Sequence, residues 1–135
     1  MPGKVLKGGC LCGAVRYEAA AEPLFEGLCH CRDCQRASGS GHVPVIGVPK
    51  PAFSFSGTTT AYALPGSTGG RHFCPVCGSL MFGMPATAPD MVTIYVGSLD
   101  DPSLFAPTVA IFIRERHAWD VPKAQLVEFE ALPPG

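Results

Sequence analysis

The chain has 135 residues, 47% hydrophobic and 16% charged, which is enough apolar side chain for a core in one domain spanning residues 1–135 and excludes general disorder. No apolar run approaches the ~20 residues of a membrane helix. Ten Lys+Arg against eleven Asp+Glu, net −1, give no basic surplus of the kind that holds a protein on nucleic acid or an anionic membrane, so neither partner is expected.

Sixteen glycines and fourteen prolines leave Thr108 to Val121 as the longest stretch free of both, so long helices are excluded and short strands expected. In chain order, Val15 and Tyr17 alternate with Arg16 and Glu18 in strand periodicity. Asp33 to Ser38 allows one or two helical turns. Val43 to Val48 is apolar but broken by Pro44 and Gly47, which predicts at best an edge strand or a bulge. Phe53 and Phe55 alternate with Ser54 and Ser56, and Gly57 turns the chain into Thr58–Leu64. Ser67–Gly70 is expected to be loop, and Leu80–Phe82 a strand. Met91–Val96 and Val109–Ile113, rich in β-branched residues, are the clearest strands. Lys123–Leu132 suits a helix or a final strand equally. The fold class is mostly β, with short strands around cysteine turns.

The seven cysteines fall in three tight groups: Cys10-x-Cys12, Cys29-x-Cys31-x-x-Cys34 and Cys74-x-x-Cys77. The opening Met-Pro-Gly-Lys-Val-Leu-Lys has no secretory apolar stretch, so a reducing cytoplasm is the expected compartment, where clustered thiols point to metal rather than disulfides. Short Cys-x-x-Cys turns suit tetrahedral sulfur coordination and hence zinc, with an iron–sulfur cluster as the alternative. Cys12 and Cys77 are each followed by glycine, Gly13 and Gly78, whereas Cys34 is followed by Gln35. Glycine after the cysteine lets the backbone take positive φ and turn N–H groups toward sulfur. Cys10, Cys12, Cys74 and Cys77 therefore pair as one closed structural site. Cys29, Cys31 and Cys34 remain, and three ligands with a vacancy is the pattern of a catalytic zinc, two ions per chain in all. A fourth ligand from His30, His42 or His72, three metal-free thiols, or a zinc ribbon pairing Cys31 and Cys34 with Cys74 and Cys77 are the alternatives.

Three segments carry a resemblance: Gly8-Gly9-Cys10-Leu11-Cys12-Gly13-Ala14-Val15-Arg16-Tyr17-Glu18, Cys29-His30-Cys31-Arg32-Asp33-Cys34-Gln35-Arg36-Ala37-Ser38-Gly39, and Phe73-Cys74-Pro75-Val76-Cys77-Gly78-Ser79-Leu80-Met81-Phe82. With the aromatic ending Ile111-Phe112 to His117-Ala118-Trp119, the chain over about residues 5 to 120 resembles the glutathione-dependent formaldehyde-activating enzymes and centromere-protein-V-like proteins. The resemblance implies a β-tent (Mss-four-like) fold. It implies a structural zinc on Cys10, Cys12, Cys74 and Cys77 and a functional zinc on Cys29, Cys31 and Cys34. It also implies addition of glutathione to formaldehyde, a carbon–sulfur lyase reaction in reverse.

A zinc held by three thiolates is a weak Lewis acid that suits a soft fourth ligand, such as a substrate thiol about to add to an aldehyde. Arg32 and Arg36 are candidate partners for a substrate carboxylate, and His42 for a proton shuttle. Ser38 and Gly39 are candidates for a pocket rim, and Phe112 and Trp119 for core or pocket wall. The expected partners are a glutathione-like thiol and an aldehyde, with a homodimer possible through an exposed strand edge. The competing function is a non-enzymatic zinc module that binds another protein. A zinc deaminase is not expected, since no Cys or His has glutamate two places on.

Overall fold

The computed structural model describes residues 4–63, 70–86, 88–120, 127–131 and 133. These form ten strands and one helix: β1 (Lys4–Gly9), β2 (Arg16–Ala21), β3 (Phe25–Cys29), α1 (Arg32–Ser38), β4 (Val43–Pro49), β5 (Phe53–Ser56), β6 (Thr60–Tyr62), β7 (Gly70–Phe73), β8 (Leu80–Met84), β9 (Met91–Tyr95) and β10 (Val109–Ile111). The mostly-β expectation holds. Of Lys123–Leu132, residues 123–126 and 132 lie outside the described residues, and 127–131 form neither the helix nor the strand expected; most of Ser67–Gly70 also lies outside the described residues. No helix among the described residues is long and apolar enough to cross a membrane.

Two sheets result. The small one runs β1-β2-β5, and the large one β10-β3-β4-β9-β8-β7-β6, with β10 on β3 the one parallel pair among them. Alternation in the small sheet buries Leu6, Val15, Tyr17 and Ala19, while the large sheet answers with Ile46, Val48, Met81, Phe82, Val92 and Ile94. Each large buried side chain there contributes about 1.5–3 kcal/mol. Tyr17, Phe53 and Phe82 interlock by their rings, the Phe53 and Phe82 centroids 4.7 Å apart.

Val43–Val48 corrects the edge-strand expectation. It is β4, between β3 and β9. Ile46 and Val48 enter the core against the small sheet, while Val43 and Val45 pack with Cys29, Cys34 and Tyr95 on the opposite face. An apolar run without polar alternation marks a strand buried on both faces. Pro44 is tolerated because pairing with β9 starts only at Val45↔Tyr95. At Gly47 the Met91 side chain fills the space a Cβ would take, its Sδ 2.4 Å from that position, so a larger residue there would displace Met91.

The expected strand Val109–Ile113 stops at Ile111. Phe112 takes the left-handed region at φ 56, and Ile113–Glu115 coils into a 3-10 turn.

Candidate metal and reaction site

Both glycine-ended cysteine turns are hairpin tips. Cys10–Val15 joins β1 to β2 in the small sheet, and Cys74–Ser79 joins β7 to β8 in the large one. Their backbones close alike: Cys10 N–H donates to Val15 O at 3.1 Å and Cys74 N–H to Ser79 O at 3.0 Å, while Gly13 and Gly78 N–H turn back to Cys10 O and Cys74 O. Gly13 and Gly78 sit at φ 83 and 77. A Cβ at either would meet nothing within 4 Å, so backbone conformation alone demands glycine. Val15 N–H reaches Cys10 Sγ at 3.2 Å, and Val76 N–H reaches Cys74 Sγ at 3.4 Å. Ser79 Oγ lies 3.2 Å from Cys77 Sγ and helps draw that thiol down to about 5.

The four sulfurs lie within 4.8 Å of one another, with Cys10–Cys12 at 3.6 Å and Cys12–Cys74 at 3.7 Å. A zinc–sulfur bond of about 2.3 Å in a tetrahedron places sulfurs about 3.8 Å apart, whereas a disulfide needs about 2.05 Å. The donor set fits zinc.

The second cluster is built at the end of β3 and the start of α1. Cys31 is the helix N-cap, its Sγ accepting from Cys34 N–H at 3.2 Å, and Gly39 closes the other end in the left-handed region. Cys29, Cys31 and Cys34 bring their sulfurs within 4.8 Å. The Cys34 thiol donates to Cys29 Sγ at 3.4 Å, which pulls Cys29 below its ordinary value and pushes Cys34 up. Three sulfurs at this spacing suit one ion with a fourth position free.

Gln35 replaces the glycine of the other turns because Cys34 is already helical. Its buried amide donates to His30 O at 2.8 Å and Glu115 O at 3.1 Å, and its oxygen accepts from His117 Nε2 at 2.9 Å and from Arg32. It thus ties helix, cysteine turn and the 113–115 turn together.

The remaining sequence candidates are placed as follows. Arg32 is engaged with Gln35, Arg36 is exposed, and Ser38 caps inward onto Cys34 O at 2.7 Å; neither arginine nor Ser38 lines the cleft described below. His72 stacks on Phe82 and bonds Thr59 Oγ1 at 2.9 Å, apart from both clusters. His30 Nδ1 and His42 Nδ1 both lie 2.9 Å from Asp120 Oδ2. His42 Nδ1 hydrogen-bonds the Asp120 carboxylate, whereas the buried His30 Nδ1 is not aligned for a hydrogen bond at that distance; ligands tetrahedral about a zinc at 2.0–2.1 Å would stand about 3.4 Å apart. The trio pins the segment after His117 to the cysteine turn. Trp119 is neither core nor wall: it is 68% exposed and stacked on His117 at 5.2 Å.

Above the second cluster lies a cleft of about 340 Å³ on the face of the large sheet turned away from the core. Every strand of that sheet contributes to it: Ile111 from β10, Phe25 and Cys29 from β3, Val45 from β4, Met91, Thr93 and Tyr95 from β9, Gly83 and Met84 from β8, Gly70 and Arg71 from β7, and Tyr62 from β6. Asp33, Cys34 and Phe112 also line it, as do Ala63, Pro85 and Ala86.

Arg71 is the residue that sequence reasoning missed. Its Nη2 donates to Cys34 Sγ at 3.4 Å, while its Nε is buried without a partner. Tyr95, 8% exposed, lies beside it; burial pushes the phenol up to about 12, so it stays a neutral donor. Only a cation three residues before Cys74 signalled Arg71 in the sequence.

A family model described as glutathione-dependent formaldehyde-activating enzyme matches residues 5–115, most of the chain. The chain belongs to this family. A relative from Halomonas elongata, named as a glutathione-dependent formaldehyde-activating enzyme, is 26% identical over 71% of this chain and 66% of its own length. The chain therefore spans just under two thirds of that relative. A crystal structure of a Rhodobacter sphaeroides protein is similar at a TM-score of 0.59 and 24% identity, covering 70% of this chain and 87% of that one. That likeness bears on the fold.

Proposed function

We propose that the protein forms and cleaves thiol–aldehyde adducts of the glutathione–formaldehyde type at Cys29, Cys31 and Cys34, with a structural zinc at Cys10, Cys12, Cys74 and Cys77. The observation that carries this reading is the three-sulfur cluster, of which Cys29 and Cys34 line a cleft with Arg71 alongside. A zinc ion held by Cys29, Cys31 and Cys34 would supply an open position that favours a soft sulfur donor in its thiolate form.

The chain's own part is to place and stabilise the aldehyde. Addition forms a carbon–sulfur bond and breaks the carbonyl π bond, leaving negative charge on oxygen. The Arg71 guanidinium, which lines the cleft, offers a cationic donor for that oxygen, in a half-buried setting where such a bond is stronger than in water. The neutral Tyr95 hydroxyl stands beside it as a second donor. The net change moves the thiol proton to the carbonyl oxygen and yields a hemithioacetal, and cleavage runs the same path backwards.

The test is exchange NMR on zinc-loaded protein with glutathione and formaldehyde. Exchange between free glutathione and its hydroxymethyl adduct should run faster than in buffer, and Cys31→Ser should abolish the gain. Buffer-rate exchange by protein carrying two zinc ions would refute the reading.

A further inference from the structure

We propose that His30, His42 and Asp120 form a third cation site, distinct from both cysteine clusters, which takes a divalent first-row transition metal in octahedral coordination. The thiol–aldehyde chemistry uses none of these three residues, and the site stands independently of it.

Three distant segments meet there. The β3–β4 register ends on Cys29↔Val43, so the next residues out, His30 and His42, stand side by side with ring centroids 5.0 Å apart. His30 is held by its backbone: its N–H donates to Ile111 O at 3.0 Å, and its carbonyl accepts from Gln35 Nε2 at 2.8 Å. Asp120 arrives from the 3-10 turn Ala118–Asp120. A Cβ at Gly41 would lie 2.8 Å from Asp120 Cγ, so the carboxylate occupies space that a side chain at Gly41 would take.

One donor atom from each of the three residues lies within 4.8 Å of the other two. Asp120 Oδ2 is 2.9 Å from His30 Nδ1 and 2.9 Å from His42 Nδ1. These distances are short for tetrahedral zinc. They match neighbouring corners of an octahedron, which stand about 3.0 Å apart for bonds of about 2.1 Å. His30 carries what a plain hydrogen-bonded trio leaves unexplained. It is 3% exposed, and its Nδ1 has no hydrogen-bond partner among the described residues, whereas His42 Nδ1 bonds the same carboxylate. A buried ring nitrogen in that state calls for an unseen partner, and an ion on its lone pair supplies one. His42 and Asp120 are partly exposed, which leaves a path from solvent. Two imidazoles and a carboxylate suit iron, cobalt or nickel in the divalent state, while the thiolate clusters select zinc.

The experiment uses the untagged full chain, saturated first with zinc, and nickel(II) as the probe. Trp119 is the chain's single tryptophan and directly precedes Asp120, so quenching of its fluorescence reports binding at the trio. One nickel per chain should be retained after dialysis with no zinc released, and quenching should saturate with that one ion bound. Asp120→Asn and His42→Gln keep hydrogen-bonding capacity. Each should weaken nickel about tenfold or more, with zinc content and near-UV circular dichroism as in the parent. Cobalt(II) in place of nickel should show the weak absorption of an octahedral nitrogen–oxygen site, without the intense sulfur charge-transfer bands of a thiolate site. That spectrum is taken on the parent chain and decides the matter if a variant does not fold. The proposal is overturned if no further ion is retained, if nickel binds only as zinc is lost, or if binding and quenching are unaltered in both variants. Sulfur charge-transfer bands from cobalt would place the ion at the cysteines and overturn it as well.

Discussion

Replacing Arg71 with methionine keeps a stem of similar shape and removes the guanidinium. Two opposing consequences for stability follow from the contacts. The charge-assisted bond to Cys34 Sγ at 3.4 Å is lost, a loss of about 1.5–3 kcal/mol for a well-formed bond. The buried Nε that has no partner is removed as well, which relieves about 1–3 kcal/mol of desolvation. These nearly cancel, so the melting temperature should move by no more than about 5 °C. Catalysis has no such cancellation. Loss of a donor aimed at developing oxyanion charge lowers kcat by about 10²–10³. Arg71→Lys keeps the charge without the planar fork and should recover part of the loss. The assay is exchange NMR of the thiol–aldehyde adduct, with zinc per chain and thermal melting measured on the same samples. Turnover within threefold of the parent at unchanged zinc content would refute the role given to Arg71.

Gln35→Leu should cost about 2–4 kcal/mol, because His30 O and Glu115 O lose the donor that Gln35 supplies; thermal melting should show a fall of roughly 10 °C. Cys10→Ser and Cys31→Ser should each lower zinc from two ions per chain to one, but only Cys10→Ser should remove the cooperative unfolding seen by near-UV circular dichroism, since Cys10 lies within the core and helps join the two sheets. Tyr17 and Tyr95 both carry phenols pushed by burial from 10.0 up to about 12. A folded pKa raised above the unfolded one gives stability that is complete below pH 10 and lost as pH rises toward 12, up to roughly 3 kcal/mol apiece. Denaturant midpoints across that window should fall for the parent and fall less for Tyr95→Phe.

What could be seen in the sequence was local. Glycine after Cys12 and Cys77 announced two turns of one kind because positive φ is a property of the residue itself. The alternation at Val15 and Tyr17 announced β2, and Asp33–Ser38 came within one residue of α1. What escaped depends on neighbours distant in the chain. β4 looked like an edge because Pro44 and Gly47 break strands in isolation; its place between β3 and β9, and Met91 filling the space at Gly47, are tertiary facts. Arg71 stood in a glycine-rich stretch beside histidine, and only the β7–β8 hairpin carries it back to Cys34. Val109–Ile113 is uniformly β-branched or apolar, yet Phe112 takes a left-handed turn that its own propensity opposes.

The hairpin-tip cluster has a consequence for the order of folding. Cys12 and Cys74 stand 62 residues apart, while each tip forms within a hairpin whose strands are close in sequence. An ion bridging the two tips closes that long loop once, and a cross-link of this span removes about 4 kcal/mol of entropy from the unfolded chain. Cys29, Cys31 and Cys34 lie inside the loop, at the end of β3 and the start of α1; β3 pairs with β4 within the ring, while its other neighbour, β10, lies outside it. Refolding from the metal-free state should therefore show a slow, zinc-dependent ring closure, and the reactive cluster should become metal-competent only after it.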